Sequence, residues 1–190
     1  MTKDTKDLVV RSFLNLISDN EIVTLKQLAQ HSGVARNTIQ ANFNNEGVKG
    51  ILHYIYNKVL IAINMEVMKH DLDQLSLNEF AEILLEEVYV FRKEFKIIFR
   101  AKILENEEFI ASELAYPWVK KRFEKLVIEL ELTPFMTAKD LLIYWNNFLT
   151  ILIRQWLSKE IPLEVHEFKP IFLRFARTPI ADLIYHDIQE

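Results

Sequence analysis

Apolar positions recur along this chain at intervals of three and four, the period of amphipathic helices. Leu8, Val9, Phe13, Leu16 and Ile17 share one face of a first helix spanning roughly Asp4 to Ser18. Thr24 followed by Gln27 is a capping box that opens a second helix just before Leu25 and Leu28. Gly33 then supplies the left-handed residue that ends it, and Ala29 leaves room for close approach. A third helix runs from about Ala35 to Asn42, with Val34 and Ile39 as its buried contacts. Asn45 caps a long fourth helix beginning near Glu46. Its stripe Val48, Ile51, Leu52, Ile55, Val59, Ile63 and Val67 carries it to about His70. Gly47 and Gly50, placed in its first turn, each cost up to about 1 kcal/mol against alanine and read as a softened joint.

The remainder predicts five further helices. Ser76 with Glu79 forms a second capping box, and Phe95, Ile98 and Phe99 pack inward from the segment it opens. A stretch from about Phe109 to Leu132 is interrupted near Pro117 and ended by Pro134. Thr137 with Asp140 opens a helix through Ser158, and Pro162 separates it from a last helical region that starts near Leu163 and contains Pro170 and Pro179. With 190 residues, half of them hydrophobic, and only three glycines, the chain reads as all-α: one larger core plus a small appended unit. The expected division is 1–46, a three-helix unit with a helix-turn-helix, and 47–190, a helical regulatory and dimerisation domain whose residues 47–70 form the connecting helix.

The polar residues of the third helix suggest what the small unit does. Arg36, Asn37, Thr38, Gln40 and Asn42 are short or forked hydrogen-bonding groups of the kinds that reach phosphates and base edges in a major groove. Helix, helix-turn-helix, aromatic Phe43 and long helix follow in order. Through TLKQLAQHSGVARNTIQANF at Thr24 to Phe43, the chain resembles the tetracycline-repressor (TetR) family of transcriptional regulators, with Gly33, Val34, Thr38 and Phe43 on the family pattern. The resemblance implies a homodimeric repressor that binds a palindromic operator in double-stranded DNA. Arg36, Asn37, Thr38 and Gln40 become candidates for DNA contact, and Thr24, Lys26, Asn42 and Lys49 for phosphate positioning.

Four positions depart from that pattern. Gln40 stands where the family usually has tyrosine, Asn42 where it often has histidine, and Glu46 where it has a phosphate-contacting lysine. Ala35 replaces a serine or threonine cap, so the third helix lacks a side-chain acceptor for its first amides. Charge is also sparse. In residues 1–50 the bases Lys3, Lys6, Arg11, Lys26, Arg36 and Lys49 face the acids Asp4, Asp7, Asp19, Glu21 and Glu46, and the whole chain carries a formal charge of −4. So weakly basic a reader of DNA needs dimerisation, low salt or a helping partner. The same departures motivate a rival from another class: a regulator-like interaction protein that keeps the dimer, has lost operator binding and holds another protein.

Thr137 to Phe175 resembles the last two helices of the family, which pair with their symmetry mates in a four-helix interface. Tyr144, Phe148, Ile151, Leu152 and Trp156 fall close to one helix face, and Phe168, Phe172 and Phe175 follow on the last helix. This load points to a self-complementary twofold patch. Phe80, Phe91, Phe95, Phe99, Phe109, Trp118, Phe123, Tyr144 and Trp145 concentrate rings in the larger domain, where related regulators hold a hydrophobic effector. Rings at helical spacing are mostly core, so no residue is assigned to an effector.

Other functions find little support. The five histidines show no i, i+4 pair, no phosphate-binding glycine loop or HExxH occurs, and the absence of cysteine removes thiol nucleophiles, thiolate metal sites and disulfides. The acids Glu86, Glu87, Glu105, Glu107 and Glu108 read as solvated helix faces. No enzyme, cofactor or metal is expected. The amino terminus lacks the apolar core of a signal peptide, and no run reaches the roughly 20 residues of a membrane span, so a cytoplasmic location is expected.

Overall fold

A computed structural model describes residues 3–19, 22–71, 74–101 and 137–184, together with 120, 124, 125 and 128. Among the described residues there are eight helices and no strand: α1 (Lys3–Asp19), α2 (Leu25–Ser32), α3 (Arg36–Asn42), α4 (Val48–Val67), α5 (Leu77–Val90), α6 (Arg92–Arg100), α7 (Ala138–Leu157) and α8 (Val165–Ile184). Of the helix expected over Phe109–Leu132, residues 120, 124, 125 and 128 are described and are helical; the rest, with Pro117 and Pro134, lies outside the described residues. Contacts divide the chain into two compact units, Met1–Val59 with Lys93–Glu105, and Leu60–Arg92 with Asn106–Glu190. The first unit therefore extends past residue 46, and α4 runs on through the division between Val59 and Leu60.

In the first unit α1 packs on α2, and α2 on α3. Val9, Phe13, Leu28, Ile39, Phe43, Ile51 and Ile55 are buried together in its core. Gly33 at φ 69° ends α2, and its N–H donates to the Ala29 carbonyl at 3.0 Å. This is the left-handed closure that lets the chain turn after eight residues. Ion pairing between Lys58 and Asp7 (2.8 Å) ties α4 to α1, and the Lys6 ammonium lies 5.0 Å from the centre of the Tyr54 ring, itself edge-on to Phe43.

The start of α4 differs from the sequence expectation. It begins at Val48, not near Glu46, because Asn44, Asn45 and Gly47 all take positive φ and carry the chain through a tight turn after α3. Gly47 stands outside the helix, where its missing Cβ is an advantage. Gly50 serves close approach rather than softness: a Cβ there would overlap the Phe43 carbonyl oxygen and lie 3.0 Å from its carbon. The first turn of α4 thus rests directly on the backbone that leaves α3.

In the second unit α8 packs on α5 and α7. Its inner stripe of Phe168, Phe172 and Ala176 is buried along with Leu85, Val88, Ile153, Trp156 and Leu157. Trp156 is sandwiched between Tyr89 and Phe168, with ring centres 5.5 Å and 4.4 Å away, and its indole N–H donates to the Leu163 carbonyl at 2.8 Å. The Tyr89 hydroxyl donates to Glu164 at 2.9 Å, and Lys169 pairs with Glu82 at 2.9 Å, each joining α5 to α8 or to the residue leading into it. α8 continues through both Pro170 and Pro179, which mark it without ending it. The segment after the Ser76 cap forms two successive helices, α5 and α6, with Phe91 between them.

All three predicted capping boxes form, at Thr24–Gln27, Ser76–Glu79 and Thr137–Asp140. Hydrogen bonds from the side chain and then the backbone of Ser76 hold the Glu79 carboxyl below its usual range, and Thr137 does the same for Asp140. A carboxyl depressed in the folded state contributes stability above its unfolded pKa and loses it as pH falls through the folded one.

Two predictions follow from these contacts. Gly50→Ala should destabilise the protein by about 1–3 kcal/mol or more in urea unfolding, since neither Phe43 backbone nor helix can move aside cheaply. Native-like stability in that variant would show that α4 does not need this approach. As pH falls through and below the ordinary carboxylate range, the amides of Ser76 and Thr137, which donate to the Glu79 and Asp140 carboxylates, should lose hydrogen-exchange protection after correction for intrinsic rates, whereas that of Thr24, which donates to the non-ionisable Gln27 side chain, should not.

Candidate nucleic-acid interface

A seven-residue helix is too short to persist alone, so the placement of α3 is set by what it buries. Ile39 is fully buried and is its anchor, Leu28 is the matching buried residue of α2, and Val34 in the connection is half-buried. Ser32 stiffens that connection: its hydroxyl donates to the Leu28 carbonyl at 2.7 Å and accepts from the Val34 N–H at 3.3 Å. With Ile39 fixed inward, the 100° step per residue places Asn37 on the opposite side, while Arg36, only about 60° round from Ile39, is exposed at the first position of the helix. Thr38, Gln40 and Asn42 are half-buried at the sides. Ala35 provides no side-chain cap, in keeping with its methyl group, and the first amides of α3 have no side-chain acceptor from it.

The other candidates separate by what already occupies them. Lys26 on α2 and Lys49 on α4 are exposed. Thr24 is also exposed, but its hydroxyl donates to the Gln27 side-chain oxygen at 2.7 Å and accepts from the Gln27 N–H at 3.3 Å, while its own N–H donates to the same oxygen at 2.9 Å. Both of its donors therefore serve the α2 cap and leave none for a phosphate. Asn42 turns back on its own helix, its amide donating to the Thr38 carbonyl at 2.6 Å. Arg36, Asn37, Lys26 and Lys49 are the candidates whose heads remain presented to solvent.

One pairing escaped sequence reasoning. Glu46 Oε2 lies 3.1 Å from Nδ1 of His53, so the acid that departs from the family pattern is held by a histidine two turns along α4. The i, i+7 spacing that would place both on one helix face was the available signal, although Glu46 stands in the turn before α4.

The candidate dimer residues also divide. Trp156, Phe168 and Phe172 are buried within the chain's own core, on the side of α8 that packs against α5 and α7. Phe148 and Leu152 are half-buried, and Tyr144, Ile151 (57% exposed) and Phe175 (50% exposed) face outward. Ile171, one turn before Phe175, joins them and was not picked out by the sequence; its i, i+4 spacing to Phe175 was the available signal. These outward residues give α7 and α8 one apolar stripe each.

The second unit also contains an open cleft of about 840 Å³ between α5 and α8, lined by Asn78, Glu82, Glu86, Glu164, Val165, His166, Lys169, Pro170, Leu173 and Arg174. Its walls are charged and bridged by the Lys169–Glu82 pair; Phe109, Trp118 and Phe123, among the rings of the larger domain, lie outside the described residues. Among the described residues no group of three or more His, Asp or Glu side chains is placed to hold a metal ion, and no helix is long and apolar enough to cross a membrane. Comparison of the chain with protein-family models, with curated proteins and with solved structures finds no match.

The Thr24 cap is testable apart from any ligand. Thr24→Ala should cost about 1 kcal/mol of stability, read from thermal or urea unfolding, while leaving duplex DNA affinity at a permissive temperature unchanged. A loss of affinity without loss of stability would return Thr24 to the interface.

Proposed function

We propose that this protein is a homodimeric, TetR-like transcriptional regulator, a repressor by default, that places α3 in the major groove of a twofold DNA site. The observation that carries the reading is the division of α3 itself: Ile39 is buried, Asn37 is exposed on the opposite side and Arg36 is exposed at the helix start. A forked guanidinium and a side-chain amide are suited to bidentate contact with base edges, and Lys26 and Lys49 add point charges for phosphate. Gln40 and Thr38 complete the proposed contact set from the flanks of the helix.

A second copy is needed because one unit offers few cations. Doubling them across a twofold axis doubles the phosphates neutralised, which is how a reader with little net positive charge reaches useful affinity. The outward apolar stripes of α7 and α8, Tyr144 and Ile151 with Ile171 and Phe175, are the proposed twofold surface. α4, whose residues belong to both units, gives a covalent path by which an effector in the second unit would alter the spacing of two α3 helices.

One observation favours a second reading, a dimeric interaction protein without an operator. Glu46 is exposed directly after α3, and Thr24 and Asn42 are committed to the protein's own backbone and cap. Pull-down from native cells separates the two readings: a protein partner that survives nuclease, with no selected DNA sequence, favours this one.

Two experiments test the primary reading. In anisotropy with labelled duplex from upstream of the protein's own gene, Arg36→Ala should cost about 1–3 kcal/mol of binding, and Thr38→Ala a smaller amount, across a salt series. Weak binding unchanged in both variants would remove α3 from the interface. In analytical ultracentrifugation, Ile151→Glu combined with Phe175→Glu should convert a dimer to monomer without loss of helical signal, because both side chains are already solvent-facing in one protomer. A dimer that persists would move the contact elsewhere.

A further inference from the structure

Glu46 is exposed in the turn after α3, four residues past Asn42 and three before Lys49, and it is the one acid of residues 22–50. Its carboxylate is 3.1 Å from Nδ1 of His53, with the two side chains 43% and 19% exposed respectively. Histidine is the side chain whose charge ordinarily changes between about pH 5 and 8. We propose that the Glu46–His53 pair is a proton-operated control on the nucleic-acid face. When His53 takes up a proton the pair becomes neutral and duplex binding strengthens; when it releases the proton Glu46 regains an uncompensated charge and repels the phosphate backbone.

This inference rests on the reading of α3 as the DNA-contacting helix, and its force comes from the narrow charge margin. Residues 1–50 hold six basic against five acidic side chains, so cancelling one acid changes that balance from +1 to +2. In a dimer the change occurs twice. With the imidazole neutral, Nδ1–H can donate to Glu46 and hold it in place, but the carboxylate keeps its full charge. With the imidazole protonated, the same contact becomes an ion pair and the turn presents no net charge.

Other charged groups lie near the pair. Lys49 lies one turn before His53 on α4 and is exposed. Lys58, further along the same helix, is paired with Asp7 of α1 at 2.8 Å, and Lys6 of α1 sits over the Tyr54 and Phe43 rings, 5.0 and 5.8 Å from their centres. His31, in the last turn of α2, is a second group able to titrate near the candidate interface, and it is retained in every variant below.

The test is anisotropy of a labelled duplex from upstream of the protein's own gene, at fixed low salt, from about pH 5.5 to pH 8. Native protein should lose roughly three- to tenfold in affinity over that range, the scale of one phosphate contact per protomer. His53→Gln, which keeps a neutral hydrogen-bonding side chain, should bind at the weaker level with a flattened profile. Glu46→Gln should bind at the stronger level, also flattened, and the slope left in both variants reports His31. Circular dichroism and thermal unfolding establish that each variant is folded. Identical pH slopes in all three proteins, with duplex binding intact, overturn the control and leave the DNA reading standing. No duplex binding by any of them at any pH overturns both.

Discussion

The whole first unit depends on how a helix of seven residues is held. α3 has too few hydrogen bonds to stand by itself, and the burial of Ile39 against the core of α1 and α2 gives it a fixed orientation. Gly33 sets the angle at which it leaves α2, and Gly50 lets α4 close over the Phe43 carbonyl at its other end. Both ends are therefore fixed by positions where a side chain would be in the way or at the wrong backbone angle. The polar face of α3 is outward as a consequence, since a helix with one buried edge has no freedom to hide the opposite one.

The second unit is built by a different means. Trp156 lies between Tyr89 and Phe168, so that α5, α7 and the start of α8 meet around one indole whose N–H is satisfied by the Leu163 carbonyl. Polar links between Tyr89 and Glu164 and between Lys169 and Glu82 lie at the edge of this packing. Exposed ion pairs contribute little, about 0–1 kcal/mol, so the rings and aliphatic side chains carry the cohesion. With its own core satisfied from inside, the unit still leaves Tyr144, Ile151, Ile171 and Phe175 to water. That surplus is the observation behind the proposed second copy.

Helix existence was legible wherever a cap and a three-to-four period coincided. Thr24–Gln27, Ser76–Glu79 and Thr137–Asp140 each marked a start to the residue, because a capping box is a local arrangement that needs no tertiary information. The start of α4 was misplaced for the opposite reason: consecutive left-handed residues at Asn44 and Asn45 are selected by the close packing of Gly50 on Phe43, a contact that sequence spacing does not encode. Phe168 and Phe172, assigned with Phe175 to an outward patch, are buried in the unit's own core for the same cause. Phe168, Phe172 and Phe175 look alike as a run of aromatics, and only the position of α5 and α7 decides that the first two face in and the third out. The partnership of Glu46 with His53 had only the weak signal of i, i+7 spacing, because a shared helix face does not specify which side chains pair.

The central claim is that the outer face of α3 meets DNA. Titrating a duplex into isotopically labelled protein at low salt and following backbone amide resonances tests it most directly. The account predicts shifts concentrated at Arg36 through Asn42, with Lys26 and Lys49 at the margin and the cores of both units undisturbed. Spectra that do not change, or shifts confined to α5, α7 and α8, would contradict it.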